Sequence, residues 1–309
     1  MNEAARPAFP NYTQLPGLLP LRMWSALRAA SVAGALALAA LLWLSPQAGL
    51  FVLWHLLIPL LPALFLLAPG LWRNLCPLAA ANQVPRVAGF TCGLTHTRTI
   101  REYSYVIGML ALFAVVSARK IAFNNNGVAA ALLVFGALLL AFLGVVLFKG
   151  KSGWCSSICP LLPVQRLYGQ TPFVTIANAH CRPCVGCAKN CYDFNPAVAS
   201  LADQYDHDPH YVGHRRFFAA VFPGFMLAFY ATPQPPAIGV AQLYLTFAAY
   251  MGASLALFAT LETFVKLRNN ALTALFAAAA FNIYYWFNSA TLVDTVRRLT
   301  HAGLGAGWV

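Results

Sequence analysis

Long apolar runs, separated by short polar stretches, dominate the chain. About 20 apolar residues are enough to cross a bilayer as an α-helix, so runs of this length predict membrane-spanning helices. We predict seven spans and allow five to seven, because the third and fifth runs are short. The spans lie at roughly 23–45, 50–71, 103–119, 127–148, 217–232, 238–264 and 271–290. The predicted fold class is therefore an all-α polytopic membrane protein.

The composition supports a membrane protein and argues against a nucleic-acid-binding one. The 309 residues are 60% hydrophobic and only 9% charged, whereas a soluble domain has about 25% charged residues. The formal net charge is +12. In a membrane protein most Lys and Arg residues lie in cytoplasmic loops and near anionic headgroups. Since the chain has no nucleic-acid motif, we predict the lipid bilayer as its environment and no nucleic-acid partner.

The distribution of positive charge predicts the orientation. With the N-terminus in the cytoplasm, sixteen of the twenty Lys and Arg residues fall on the inner side, as the positive-inside rule requires. The chain then divides into a cytoplasmic tail (1–22), a four-helix membrane region (23–148) with an inner loop (72–102), a cytoplasmic segment (149–216) and a C-terminal helical region (217–309).

All eight cysteines lie on the predicted cytoplasmic side. Four of them, in the order C-x2-C-x2-C-x3-C, have the spacing of a bacterial ferredoxin loop, which wraps tightly around a 4Fe–4S cluster. They are Cys181, Cys184, Cys187 and Cys191. Cytoplasmic thiols are kept reduced, which disfavours disulfides, and structural zinc prefers two C-x2-C pairs that are farther apart. The spacing therefore favours an iron–sulfur site.

The other four cysteines bear on the number of clusters. Cys155 and Cys159 form a C-x3-C-P element, and Cys76 and Cys92 lie in the inner loop 72–102. In two-cluster ferredoxins the fourth Cys of the loop ligates the other cluster. Cys191 would then join Cys155, Cys159 and one of the two inner-loop cysteines, and the remaining one would complete the first cluster. We favour two clusters, but a single cluster held by the ferredoxin loop alone stays open.

A weak internal repeat accompanies these motifs. Residues 72–78, WRNLCPL, align with residues 155–161, CSSICPL, and each segment follows a pair of apolar helices. The first copy has Trp72 where the second has Cys155. The C-x3-C-P element, the ferredoxin loop and this layout together resemble the membrane polyferredoxin group, which includes the NapH, NosR and FixG (RdxA/CcoG) types. The resemblance covers residues of about 50–230.

The resemblance implies cytoplasmic 4Fe–4S centres on a helical base in a bacterial inner membrane. It implies electron transfer between a soluble ferredoxin- or flavodoxin-like donor, or quinone, and a membrane or periplasmic redox protein. Such a chain is an electron-transfer subunit of an oxidoreductase system rather than a stand-alone enzyme. Four basic residues would dock an acidic ferredoxin: Lys149, Lys151, Arg182 and Lys189.

Two other functions stay open. One is an assembly or maturation factor for a copper enzyme that uses Cys155 and Cys159 to reduce or relay the metal. The other is an anchor that recruits a soluble reductase and holds a purely structural cluster.

Several other polar residues are interpreted as structural. His55 lies well inside the second span, and we expect a packing role or a quinone contact rather than haem ligation. The polar stretch 203–216 is interpreted as a solvated connector, with Arg215 and Arg216 reaching the headgroups at its end. Glu262 and Lys266 have the spacing of a helix-surface ion pair.

Reporter fusions test the predicted orientation. We expect alkaline phosphatase to be active when it is fused after Asn125, because the turn between the third and fourth spans is predicted to lie outside. We expect green fluorescent protein to fluoresce when fused after Leu201, because that segment is predicted to be cytoplasmic. The reverse pattern at both positions would contradict the orientation.

Overall fold

The computed structural model describes residues 19–94, 98–148, 154–155, 158–169, 173–174, 176, 209–235, 237–265 and 269–302. Within these ranges the protein is helical, and its β structure is an isolated parallel bridge between Leu94 and Phe148. The helices are α1 (Leu21–Leu44), α2 (Pro46–Phe51), α3 (Ile58–Leu67), α4 (Pro69–Leu75), α5 (Pro77–Val87), α6 (Arg98–Ala118), α7 (Gly127–Leu147), α8 (Leu162–Tyr168), α9 (Pro209–Ala231), α10 (Val240–Val265) and α11 (Asn269–Ala302). A π-helical turn at Val52–Leu57 joins α2 to α3, and another at Arg119–Phe123 extends α6.

Five stretches are long and apolar enough to cross a membrane. They are Leu21–Leu44, Pro46–Leu67, Tyr103–Phe123, Gly127–Leu147 and Val240–Val265. They match the first four and the sixth of the predicted spans. The fifth and seventh predicted spans are helical as well, in α9 and α11, but they are not among the five. The five apolar helices indicate an integral membrane protein. That α9 and α11 also cross the membrane stays a prediction.

Helix α7 shows how the sequence defines a span. The Asn126 side chain accepts a hydrogen bond from the Ala129 backbone N–H at 3.0 Å, which caps the first turn. The helix then runs through Leu, Ala and Val residues to Leu147. It packs against α1 and α5, where the buried Asn82 amide donates to the Ala141 carbonyl at 2.7 Å.

Helix α9 lies in the centre of the bundle, packed against α6, α10 and α11. Phe218, Phe222, Phe225 and Phe229 follow one another at helical spacing and are all buried. Their rings meet each other and α6, with centroids 4.7 Å apart for Phe218–Phe222 and 4.5 Å for Phe113–Phe225. The low exposure of these rings shows that other helices, and not lipid, cover this side of α9. Protein contacts thus compensate for the shortness of the fifth apolar run.

Helix α8 lies inside the bundle, although it belongs to the segment that the sequence assigns to the cytoplasm. Six of its seven residues are buried, and it packs against α3, α6 and α9. Its last residue, Tyr168, donates its hydroxyl to the Ala277 carbonyl of α11 at 2.9 Å. Burial raises the pKa of Tyr168, so the hydroxyl stays protonated and keeps this bond. The chain that follows Cys159 is therefore anchored in the helical core.

A side chain from α11 completes the backbone hydrogen bonding of α3. Pro59 and Pro62 both lie in this helix, and proline interrupts the helical hydrogen-bond pattern. The Tyr285 hydroxyl accepts from the Ala63 N–H at 2.9 Å and donates to the Pro59 carbonyl at 2.8 Å. In an uninterrupted helix those two groups would bond to each other. Tyr285 thus bridges the two groups inside the bundle, where water is scarce.

Removal of this bridge should destabilise the protein. We expect Tyr285→Phe to lower the free energy of unfolding by about 1–3 kcal/mol, because part-buried backbone groups lose their partner. Thermal unfolding in lipid nanodiscs measures the loss. Tyr250→Phe, at an exposed position on α10, is the matched control and should unfold as the wild type does. Equal stability of both variants would mean that α3 closes its own hydrogen bond.

Candidate functional site

The two Cys-Pro segments both precede a helix, but the backbone hydrogen bond of the cysteine reaches back four residues in the first and five in the second. The Cys76 N–H donates to the Trp72 carbonyl at 2.7 Å, and the Cys159 N–H donates to the Trp154 carbonyl at 3.1 Å. Pro77 is the first residue of α5, whereas Pro160 lies two residues before α8, whose first turn contains Pro163 instead. Proline is well suited to the first turn of a helix, where its missing N–H costs nothing. In both copies of the sequence repeat a helix therefore follows the Cys-Pro pair, but at a different distance from it.

These two segments pack against each other. Cys159 belongs to a buried cluster with Ala141, Trp154 and Leu162, and both Cys155 and Leu78 pack against that cluster. Leu78 is two residues beyond Cys76. The exposed fractions of Cys76 and Cys159 are 7% and 6%, and Cys155 is partly buried. The predicted ligands of the first and second copies are therefore held at one end of the bundle, which we call the cysteine end.

Helix α6 approaches this site closely at Gly108. A Cβ atom on Gly108 would lie 2.9 Å from the Cys159 carbonyl oxygen, which is nearer than such atoms pack. The absence of a side chain therefore allows the chain around Cys159 to lie against α6.

Cys92 is held at the same end by hydrogen bonds between its loop and the end of α7. Its N–H donates to the Val146 carbonyl at 2.7 Å, and the Leu94 N–H donates to the Leu147 carbonyl at 2.9 Å. The Thr91 hydroxyl donates to the Val145 carbonyl at 2.8 Å. The last carbonyls of a helix have no partner within the helix. The loop residues 91–94 therefore supply hydrogen-bond donors to the last carbonyls of α7. Cys92 itself is exposed.

The four cysteines that the structure describes are thiols and form no disulfide with one another. Within the described ranges no group of three or more His, Cys, Asp or Glu side chains is arranged to hold a metal ion. The ferredoxin-loop cysteines Cys181, Cys184, Cys187 and Cys191 lie outside these ranges. The iron–sulfur site therefore stays a prediction, of which the structure shows the surroundings of four candidate ligands.

Three buried arginines lie in the helices that surround this site, and the sequence did not single them out as buried. The exposed fractions of Arg73, Arg166 and Arg215 are 3%, 3% and 4%. Arg73 and Arg166 lie in α4 and α8, on either side of the Cys-Pro segments. A charge is costly to bury unless it is compensated. The position of Arg73, close to Cys76 in the sequence, could have indicated that it is buried near the cysteines. An arginine near the end of a span is usually interpreted as reaching the lipid headgroups, however, so the burial was not predicted.

Arg215 and Arg216 differ in their surroundings. We expected both to extend towards the headgroups, and for Arg215 this is wrong, because other parts of the protein cover its side chain. Arg216 forms an ion pair with Glu262 of α10. Glu262 thus has a partner on a neighbouring helix, and Lys266, its predicted partner, lies outside the described residues.

The remaining polar candidates have structural contacts. The His55 ring stacks on Phe51 with centroids 5.3 Å apart, within the π-helical turn Val52–Leu57. The His214 ring lies 6.2 Å from that of Tyr103. Residues 203–208 of the polar connector are not among the described residues. The same is true of the four basic residues that are predicted to dock a ferredoxin: Lys149, Lys151, Arg182 and Lys189.

Comparison with protein-family models, with curated proteins and with solved structures found no match for this chain. The functional argument therefore depends on the chain's own motifs and geometry.

The close approach at Gly108 can be tested directly. We expect Gly108→Ala to destabilise the protein by about 1–3 kcal/mol, because the added methyl group overpacks the contact with Cys159. Gly136→Ala is the matched control, since a Cβ atom there meets nothing within 4 Å. It should be neutral or stabilising by up to about 1 kcal/mol through helix propensity. Thermal unfolding of both variants in nanodiscs decides, and an equal response would contradict the tight contact.

Proposed function

We propose that this chain is a membrane-bound iron–sulfur electron-transfer protein. It relays electrons between a soluble donor or the quinone pool and a membrane or periplasmic redox partner. The observation that carries the proposal is the packing of the two Cys-Pro segments against each other at the cysteine end, in a chain whose next cysteines have ferredoxin spacing. It would act as a subunit of an oxidoreductase system in a bacterial inner membrane, with the cysteine end in the cytoplasm.

The described residues fit such a cofactor in their chemistry. Cys76, Cys92, Cys155 and Cys159 are all thiols at one end of the bundle, and thiolate sulfur is the ligand that iron–sulfur clusters use. A cluster with four thiolate ligands carries net negative charge, and buried cations nearby compensate such a charge. Arg73, Arg166 and Arg215 provide buried cations in the adjoining helices.

When bound, a 4Fe–4S cluster supplies one-electron transfer. The chain's own residues would do the rest. Thiolates hold the cluster, while Trp154, Leu162 and Ala141 limit water around Cys159. The buried arginines favour the more negative, reduced state, because net charge and solvent exposure both influence the reduction potential.

The partners follow from charge and location. An acidic ferredoxin- or flavodoxin-like donor would be attracted to Lys149, Lys151, Arg182 and Lys189, since complementary charge accelerates association and orients the partners. A quinone would instead reach the protein from the bilayer.

Iron and acid-labile sulfide counts after anaerobic purification test the proposal. We expect about eight irons per chain if two 4Fe–4S clusters are present, with spin-coupled EPR signals after reduction by dithionite. Cys184→Ala and Cys159→Ala should each lower the iron content by about four, because each removes a ligand of one cluster. Ser157→Ala is the matched control in the Cys155–Cys159 segment and should retain the wild-type iron content.

Other outcomes would replace the proposal. About four irons, unaffected by Cys159→Ala, would free Cys155 and Cys159 for copper handling and favour the assembly-factor function. A cluster that cannot be reduced and reoxidised would indicate a structural anchor. Zinc in place of iron would exclude electron transfer by this chain.

A further inference from the structure

The two π-helical turns in the described part of the chain meet at the end of the bundle opposite to the cysteines. The Trp54 indole N–H, in the turn Val52–Leu57, donates to the Phe123 carbonyl, in the turn Arg119–Phe123, at 2.9 Å. The Arg119 guanidinium carbon lies 4.1 Å from the Trp54 ring centroid. π-helical turns are rare and often occur at functional sites. Here they hold Trp54 and Arg119 against each other.

A chamber of about 280 Å³ extends from this pair towards the cysteine end. Arg119 and Trp54 line one part of it, and Pro160 and Leu161, which directly follow Cys159, line another. Eight of the lining residues are aromatic, and the others, apart from Arg119, are aliphatic, proline or methionine. The chamber thus connects the surroundings of a predicted cluster ligand with a single cation.

An apolar chamber of this size is suited to a lipophilic ligand rather than to water. A dry apolar cavity of about 150 Å³ is large enough to bind benzene. The present chamber is nearly twice as large and has few polar groups that could hold water. A ring with one or two short substituents matches its volume.

Arg119 provides the chamber's polar anchor. Its Nε–H donates to the Asn124 side-chain oxygen at 2.7 Å, and the faces of the guanidinium group lie near Trp54 and Phe229, the latter at 5.3 Å. No carboxylate in the described part of the chain forms an ion pair with it. Its remaining N–H groups are therefore suited to an oxygen acceptor on a ligand.

We propose that this chamber binds a flat lipophilic ring that carries an oxygen acceptor, the chemistry of a membrane quinone. The ring packs among the aromatic side chains, with an oxygen directed to Arg119. Aromatic faces together with a cation favour a flat ring over a saturated acyl chain. Binding is independent of any cluster, whereas a role of this ligand as electron carrier rests on the function proposed above.

Binding of radiolabelled menadione to the full-length oxidised protein in lipid nanodiscs tests the proposal, after subtraction of the binding to protein-free nanodiscs. We expect saturable binding to the wild type. Arg119→Gln should weaken it at least tenfold, because the oxygen anchor is lost, and Val116→Phe should abolish it by filling the chamber. Arg297→Gln removes an exposed arginine that does not line the chamber and should bind as the wild type does.

Competition on the wild type keeps the test independent of whether the variants fold. Excess decanoate should not displace menadione, since an acyl chain matches the aromatic lining poorly. Displacement by decanoate at similar concentration would identify an acyl-chain site and overturn the proposal. Non-saturable uptake, or wild-type binding by both chamber variants, would overturn it as well. None of these results alters the iron content, so a failure here is distinguishable from a failure of the electron-transfer function.

Discussion

Backbone polar groups inside an apolar bundle must be paired, and the irregular parts of this protein are organised by that constraint. Helix α8 lies inside the bundle, where the Gln165 and Gly169 N–H groups donate to the Leu161 and Gln165 carbonyls and the Tyr168 hydroxyl joins the helix to α11. The chain around Cys92 can lie against α7 because its N–H groups meet the carbonyls that end this helix. The cysteine end is therefore built from segments that close the hydrogen bonds of their neighbours. Ligand positions and helix termini are part of the same arrangement.

Electrostatics adds a second requirement at the cysteine end. Arg73, Arg166 and Arg215 are buried in helices around the Cys-Pro segments, and buried charge has to be compensated. At the opposite end, Arg119 is held by aromatic faces and an amide oxygen. The two ends of the bundle thus differ in the number of cations and in their surroundings. One gathers several cations near thiols, and the other presents a single cation to an apolar chamber.

The sequence predicted the helices well where an apolar run of about 20 residues determines them, as in α1 and α7. The recurrence of Cys-Pro indicated two related segments, but it could not predict that the following helix begins at the proline in one and two residues after it in the other. It could not predict the inward position of α8, since a seven-residue helix carries too little periodicity to reveal its surroundings. It also placed Arg215 at the headgroups, because charge near a span end has the same pattern whether lipid or protein covers it. The ferredoxin spacing remains the argument for the loop cysteines, which lie outside the described residues.

The Tyr285 bridge has a consequence for biosynthesis. The Tyr285 hydroxyl bonds to the Ala63 N–H, which lies 222 residues earlier in the chain. The helix that contains Ala63 is therefore synthesised well before the helix that contains Tyr285. The second apolar stretch is therefore made long before the side chain that completes its backbone. During that interval its two proline-interrupted groups depend on water, lipid headgroups or the insertion machinery. The backbone hydrogen bonding of α3 is thus completed only when α11 is in place, so a chain truncated before Tyr285 would also lose this pairing in α3.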